Sequence, residues 1–268
     1  MTDQHIISDS QRLDFDSFKR RVHVKTGIDL NQYKPQQMHR RLMGMLEHTK
    51  ISSLAQYGAL IESDPTELSK FVDWLTINVS ELFRNKEKWD ELRESILPGL
   101  LRRGGSIRAW SAGCSIGAEA YSLSMVLDDL APGSLNYLLA TDLDRRILEK
   151  ARHGTFNDAE IRNVPPSYRQ KYLVPRMGDF QVVRPLRDRI NFRRHNLLSD
   201  SFERDFDFIA CRNVIIYFTE EAQQKLFKRF VQALKPGGVL FVGGTERIYN
   251  YREMGLESRL PFFYERAC

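Results

Sequence analysis

Along the first third of the chain the apolar residues recur at helical spacing. Phe15, Phe18 and Val22 stand at i, i+3 and i+7. Met38, Leu42, Met45 and Leu46 repeat the stripe after Pro35, and Leu54, Tyr57, Leu60 and Ile61 repeat it in a helix starting near Ser52. Asp64-Pro65-Thr66-Glu67 reads as a helix start, with Asp64 as N-cap, Pro65 at the first position and Glu67 reaching back. That helix turns Phe71, Trp74 and Leu75 inward. No strand signal interrupts the stretch, so residues 1–92 are expected to form an all-helical N-terminal domain with its linker.

From Ile107 short apolar runs alternate with helical patterns. Strands are predicted at Ile107–Trp110, Leu135–Thr141, Phe206–Cys211 and Val239–Val242, and helices from the 111–117 turn to Asp128, over Arg145–Ala151 and over Glu220–Leu234. This alternation predicts a doubly wound α/β domain over residues 93–268, with helices on both faces of a largely parallel sheet. Lys235-Pro-Gly-Gly238 reads as the stop of the last helix, and Leu260–Tyr264 as a terminal edge strand. The rhythm breaks after Pro165. A short helix to Tyr172 is followed by Phe180–Val183 and Ile190–Arg194, read as two strands of a small antiparallel β insertion at about 173–195.

Composition narrows the class without choosing a function. Forty Lys and Arg against 35 Asp and Glu leave a formal charge of +5, which suits an acidic partner and equally a solvated surface. Cys114, Cys211 and Cys268 have neither zinc spacing nor an even count, and the six histidines are scattered, so neither a disulfide framework nor a metal is expected. The polar start from Met1 to Gln11 and the lack of any apolar run near 20 residues predict a cytoplasmic protein with no membrane insertion.

The candidate chemistry lies at the strand ends. Gly113-Cys-Ser-Ile-Gly117 is the first strand-to-helix turn, where glycines let a ligand approach the backbone. Its spacing is not GxGxxG, which disfavours a dinucleotide. Asp142 ends the second strand, where a carboxylate accepts hydrogen bonds from ribose hydroxyls; alternatively it caps the next helix. Leu234-Lys-Pro-Gly-Gly238 before a strand resembles the turn of S-adenosylmethionine-dependent methyltransferases.

Four stretches are more specific: Asn78-Val-Ser-Glu-Leu-Phe-Arg84, Trp110-Ser-Ala-Gly-Cys-Ser-Ile-Gly-Ala-Glu-Ala-Tyr-Ser122, Thr141-Asp-Leu-Asp144 and Cys211-Arg-Asn-Val-Ile-Ile-Tyr-Phe218. Together they resemble the CheR family of chemotaxis receptor methyltransferases, over nearly the whole chain. The resemblance implies transfer of methyl from S-adenosylmethionine to glutamate carboxylates of bacterial chemoreceptors. It implies that Asn78, Ser80 and Arg84 contact the cofactor and line the active site, with Gly113 in the cofactor turn. Glu119 and Asp142 would hold the methionine amino group and the ribose, and Asn196 and Leu197 would frame the adenine. Arg212, Asn213 and Tyr217 would wall the pocket beside the transferable methyl, with Arg84, Arg212 and Tyr217 the catalytic set. Two positions depart from the family pattern. Ser80 replaces a Thr, and Ala118 replaces a Glu, which leaves Glu119 as the acid for its contact. The insertion, Gly178 to Phe192, is shorter than in members that dock on a receptor's C-terminal tether, so no tether is expected.

Such a reaction suits these residues. A glutamate is already an anionic nucleophile at neutral pH, so no general base is needed. Alignment and partial desolvation are what the enzyme supplies, and a guanidinium fork such as that of Arg84 orients a carboxylate. In the helical domain Arg20, Arg21, Arg40 and Arg41 are candidates for docking the Glu-rich cytoplasmic helices of a receptor, against the default of a solvated helix face. No dimerisation seam is evident, so a monomer is expected. Two rival readings share the fold: a nucleic-acid methyltransferase with Cys211 as nucleophile, disfavoured because Cys211 lacks a Pro-Cys turn, and a non-catalytic cofactor-binding signalling module, disfavoured by the intact Arg84, Asp142, Arg212 and Tyr217.

Overall fold

A computed structural model describes residues 9–76 and 80–267, with side chains from residue 14. The chain forms two compact units, one of residues 9–76 with Tyr217–Ala222, the other of residues 80–216 and 223–267.

The helical unit contains α1 (Asp9–Thr26), α2 (Pro35–Thr49), α3 (Leu54–Ser63) and α4 (Pro65–Leu75). The apolar stripes meet in one core, where Phe18, Val22, Leu42, Tyr57, Ile61 and Phe71 are almost fully buried and the Phe18 and Phe71 rings pack edge to face at 5.7 Å. Asp64 caps α4 by accepting from the Thr66 N–H at 2.7 Å, but Glu67 does not reach back: the Asp64 N–H already donates to Leu60 O, closing α3, and Glu67 pairs with Lys70. A returning segment belongs to this unit. Tyr33 and Phe218 form an antiparallel bridge, the Lys34 N–H donates to Tyr217 O, and the Thr219 N–H donates to Gln32 O, both at 2.9 Å.

In the α/β unit, α5 (Lys86–Glu91) continues through a π-helical segment (Leu92–Ile96) into α6 (Leu97–Gly104). There follow β1 (Ile107–Ala112), α7 (Ala118–Leu130), β2 (Leu135–Asp142), α8 (Arg145–His153), β3 (Thr155–Phe156), α9 (Asp158–Ile161), α10 (Pro166–Tyr172), β4 (Leu173–Arg176), β5 (Asp179–Val182), α11 (Arg184–Arg187), β6 (Ile190–Arg194), β7 (Phe206–Cys211), α12 (Glu220–Ala233), β8 (Leu234–Val242), β9 (Leu256–Leu260) and β10 (Phe263–Arg266). The main sheet runs β6-β2-β1-β7-β8-β10-β9, with β10 antiparallel to both its neighbours and the other pairs parallel. Successive strands depart to opposite sides of β1, so the order reverses between β1 and β7, which is where a doubly wound sheet opens a ligand crevice. β3, β5 and β4 form a separate antiparallel sheet.

Three expectations are corrected. Ile190–Arg194 is not part of the insertion sheet. It pairs in parallel with β2, from Leu138↔Ile190 to Asp142↔Arg194, because burying Ile190 and packing Phe192 on Tyr121 require the main core. The insertion takes its strands instead from Thr155–Phe156 and Leu173–Arg176. Lys235-Pro-Gly-Gly238 does not separate helix from strand but lies within β8, as a bulge between the pairs Phe206↔Leu234 and Phe208↔Val239. A Cβ on Gly238 would stand 2.9 Å from Phe206 O, so only glycine fits there. Finally, the C-terminal apolar run is not an edge: Phe263–Arg266 lies between β8 and β9, stacking Phe263 on Phe241 at 4.2 Å, and β9 is the edge.

Candidate active site

The first turn is built by glycine. After Ala112 the N–H groups of Gly113 and Cys114 both donate to Thr141 O at 2.8 Å, tying the end of β1 to the end of β2. Gly113 has φ +80°, and a Cβ there would lie 2.5 Å from Val214 Cγ2, so both conformation and space demand glycine. Gly117 repeats this at φ +83°, with Phe192 and Tyr121 each 3.1 Å from where its Cβ would be.

Two carboxylates, Asp142 buried and Glu119 largely so, face this turn from different elements. Asp142, at the end of β2, accepts the Ser115 N–H at 2.8 Å and the Asp144 N–H at 3.1 Å. Burial nevertheless raises its pKa from 3.8 to about 6, so the backbone only partly supports the charge. The capping of α8 falls to Asp144, which accepts the Arg146 N–H, so Asp142 is not the N-cap. Glu119, in the first turn of α7, accepts the Ser111 hydroxyl at 2.7 Å. Burial pushes this carboxyl up, while Arg212, Ser111 and Arg84 pull it down.

Arg212 follows β7 and is almost wholly buried. Its Nη2 donates to Arg84 O at 3.0 Å and to Asn85 Oδ1 at 2.9 Å, its Nη1 lies 3.9 Å from Glu119 Oε2, and its guanidinium stacks on Phe241 at 4.6 Å. Among the described residues its Nε has no hydrogen-bond partner. Arg212 therefore ties together two predicted site residues, Glu119 and Arg84. Arg84 itself is half-buried and flanked by two left-handed residues, Phe83 (φ 55°) and Asn85 (φ 59°). Strain of this kind persists only where surroundings over-determine it. Here the Phe83 N–H donates to Ser122 Oγ at 2.9 Å, the Leu82 N–H to Glu160 O at 2.9 Å, and the Trp89 indole N–H to Arg84 O at 3.1 Å.

Asn213 is also left-handed (φ 61°), and its N–H donates at 2.7 Å to a residue the sequence reading left unassigned, Glu246. This buried carboxylate also accepts the N–H groups of Val214, Ile215, Ile216 and Gly243, at 2.9, 2.7, 3.2 and 2.7 Å. It staples the turn after β7 to the end of β8. The signal in the sequence was an acid directly after Val242-Gly-Gly-Thr245, which alone does not distinguish a staple from a surface loop.

The Asn196–Leu197 pair follows β6 and reaches the same strand ends: the His195 N–H donates to Asp142 O at 2.9 Å. Both residues are buried, and Asn196 Oδ1 accepts the Leu198 N–H at 3.0 Å. Ser80 is half-buried, and Asn78 lies outside the described residues.

Tyr217 belongs to the helical unit through the contacts given above. In that unit it helps line a hollow of about 440 Å³ with Lys34, Arg40, Arg41 and Trp74. Arg20 and Arg40 are exposed, Arg21 pairs with Glu62 at 3.6 Å, and Arg41 turns inward to donate its Nε to Trp74 O at 2.6 Å. Cys114 and Cys211 are buried thiols whose pKa burial drives upward, the opposite of what a nucleophile needs. Among the described residues no group of His, Cys, Asp or Glu is arranged to hold a metal, and no helix is long and apolar enough to cross a membrane.

The chain is similar to known proteins over most of its length. Residues 13–76 match the family model of the CheR methyltransferase all-alpha domain, and residues 78–259 that of the CheR methyltransferase SAM binding domain. The chain is 39% identical over 253 residues to a chemotaxis protein methyltransferase of Listeria monocytogenes, covering 94% of this chain and 96% of the relative. It is 34% identical over 257 residues to that of Escherichia coli, covering 92% and 87%, and 33% identical over 244 residues to chemotaxis protein methyltransferase 2 of Pseudomonas aeruginosa, covering 88% and 86%.

Proposed function

This chain belongs to the CheR methyltransferase family as an S-adenosylmethionine-dependent methyltransferase, and we propose that it methylates glutamate side chains on the cytoplasmic helices of chemoreceptors. The observation that carries the reading is the pair of largely desolvated, incompletely compensated carboxylates around the glycine turn. Glu119 suits an ammonium group, and Asp142 suits the donor hydroxyls of a ribose, which are the two polar ends of the cofactor. When bound, the cofactor supplies an electrophilic methyl on a sulfonium. Attack by the glutamate oxygen forms the O–CH3 bond, the S–CH3 bond breaks with its electron pair left on sulfur, and no proton moves.

The chain's residues divide the remaining work. Gly113 gives the backbone close access to the ligand, and Asn196 and Leu197 frame the adenine. Arg84 orients the acceptor carboxylate, and Arg212 positions Arg84 and Glu119, since its buried guanidinium donates to Arg84 O and lies 3.9 Å from Glu119 Oε2. Arg20 and Arg40 offer exposed charge to Glu-rich receptor helices. The protein acts in the cytoplasm as a monomer, without a receptor tether.

The test is transfer of radiolabelled methyl from S-adenosylmethionine to receptor cytoplasmic fragments, followed by mild alkali. Label that enters the receptor and leaves as methanol supports the reading. Cofactor binding with no label on any receptor fragment sinks it.

A further inference from the structure

One side chain outside the sites described so far grips the loop that carries Asn196 and Leu197. Arg229, in α12, donates Nη1 to Leu197 O at 2.5 Å and Nη2 to Asp200 O. Its guanidinium carbon lies over the Phe202 ring, 3.9 Å from the centroid. The rest of the loop is locally closed: Asp200 Oδ2 accepts the Asn196 N–H at 2.8 Å, and the N–H groups of Ser199 and Asp200 donate to Asn196 O. Those bonds fix the shape of residues 196–200 but not their height above the sheet. Two contacts tie the loop to elements beyond itself, the His195 N–H on Asp142 O and the fork of Arg229. Phe202, which supports that fork, packs edge-on to Trp110 at 4.7 Å, and the Trp110 indole N–H donates to Thr141 Oγ1 at 2.9 Å, beside Asp142.

We propose that Arg229 is a positioning residue for cofactor recognition, holding the adenine-framing loop in register with Asp142 so that adenine and ribose are gripped together. The inference rests on the reading that Asn196 and Leu197 frame the adenine. A planar guanidinium suits the task because it reaches two carbonyls at once while stacking on an aromatic face; an ammonium does one or the other. The loop contacts the cofactor far from the methyl, so the effect belongs in cofactor affinity and not in the chemical step.

The experiment measures S-adenosylhomocysteine affinity by calorimetry and methyl-transfer kinetics on receptor fragment, for the full-length chain, Arg229→Ala, Arg229→Lys and Leu197→Ala. Arg229→Ala is expected to weaken binding about 10-fold or more, and to raise the cofactor KM in step with kcat unchanged at saturation. Arg229→Lys, which keeps one hydrogen bond and the fold, is expected to fall between. If both Arg229 variants bind within about twofold of the parent while Leu197→Ala binds weakly, the clamp is overturned and the adenine reading stands. If Leu197→Ala also binds normally, both fall.

Discussion

A single oxygen of Glu246, Oε2, accepts the backbone N–H groups of Asn213 and Gly243, each at 2.7 Å, joining the ends of two neighbouring parallel strands. With three further N–H groups on Oε1, the carboxylate takes the place of a ladder at the point where the chain after β7 must turn sharply. Glu246→Gln puts an amide donor among N–H donors. It is expected to lower the unfolding free energy by about 3 kcal/mol and to weaken S-adenosylhomocysteine binding, because the released turn carries Asn213 and follows Arg212. Urea melts and calorimetry check both effects, and unchanged stability would show the staple to be redundant.

Arg84 separates side-chain from backbone roles. Its carbonyl is held by Trp89 and Arg212, and a substitution leaves that carbonyl in place. Arg84→Ala is therefore expected to lower kcat by about 100-fold with little change in melting temperature. Arg84→Lys is expected to recover little, since one ammonium cannot reproduce a two-pronged grip. Single-turnover kinetics with cofactor saturating test this.

Asp142 gives a pH signature with a defined sign. Its folded pKa, about 6, lies above the ordinary aspartate value of 3.8. The folded chain thus binds this proton more tightly than the unfolded one. The resulting stabilisation, on the order of 3 kcal/mol at most, is fully present below the unfolded pKa and is lost as pH rises through the folded pKa. Ribose hydroxyls donate to the ionised form, so cofactor affinity runs the opposite way, weakening as pH falls through about 6. Asp142→Asn is expected to abolish that break in affinity, as calorimetry across the interval reads directly, and to lose one of the two backbone N–H contacts that the carboxylate accepts.

The Gly113–Val214 approach allows a double-mutant cycle. Gly113→Ala alone suffers both the left-handed φ and the Val214 methyl. Adding Val214→Ala removes the clash but not the φ penalty, so a favourable coupling of about 1–2 kcal/mol is expected from denaturant unfolding. Additivity within about 0.5 kcal/mol would place the whole cost in the backbone.

By itself the sequence determined the local features: the helical stripes from Phe15 to Leu75, the apolar strands, the glycine turn at 113–117, and an ordered set of motifs specific enough to point to the family. Each of these is written in residues near one another in the chain, where periodicity and turn chemistry act. Tertiary structure decided what depends on distant partners. The 190–194 strand joined the main sheet because Phe192 had a place against Tyr121, and the C-terminal run went inside because Phe263 stacks on Phe241. Arg212 found the carbonyl of Arg84, Glu246 found five N–H donors, and Arg229 found two carbonyls about thirty residues away. A buried polar side chain takes its role from whichever unsatisfied group packing brings within about 3 Å, and no pattern local to the chain encodes that meeting.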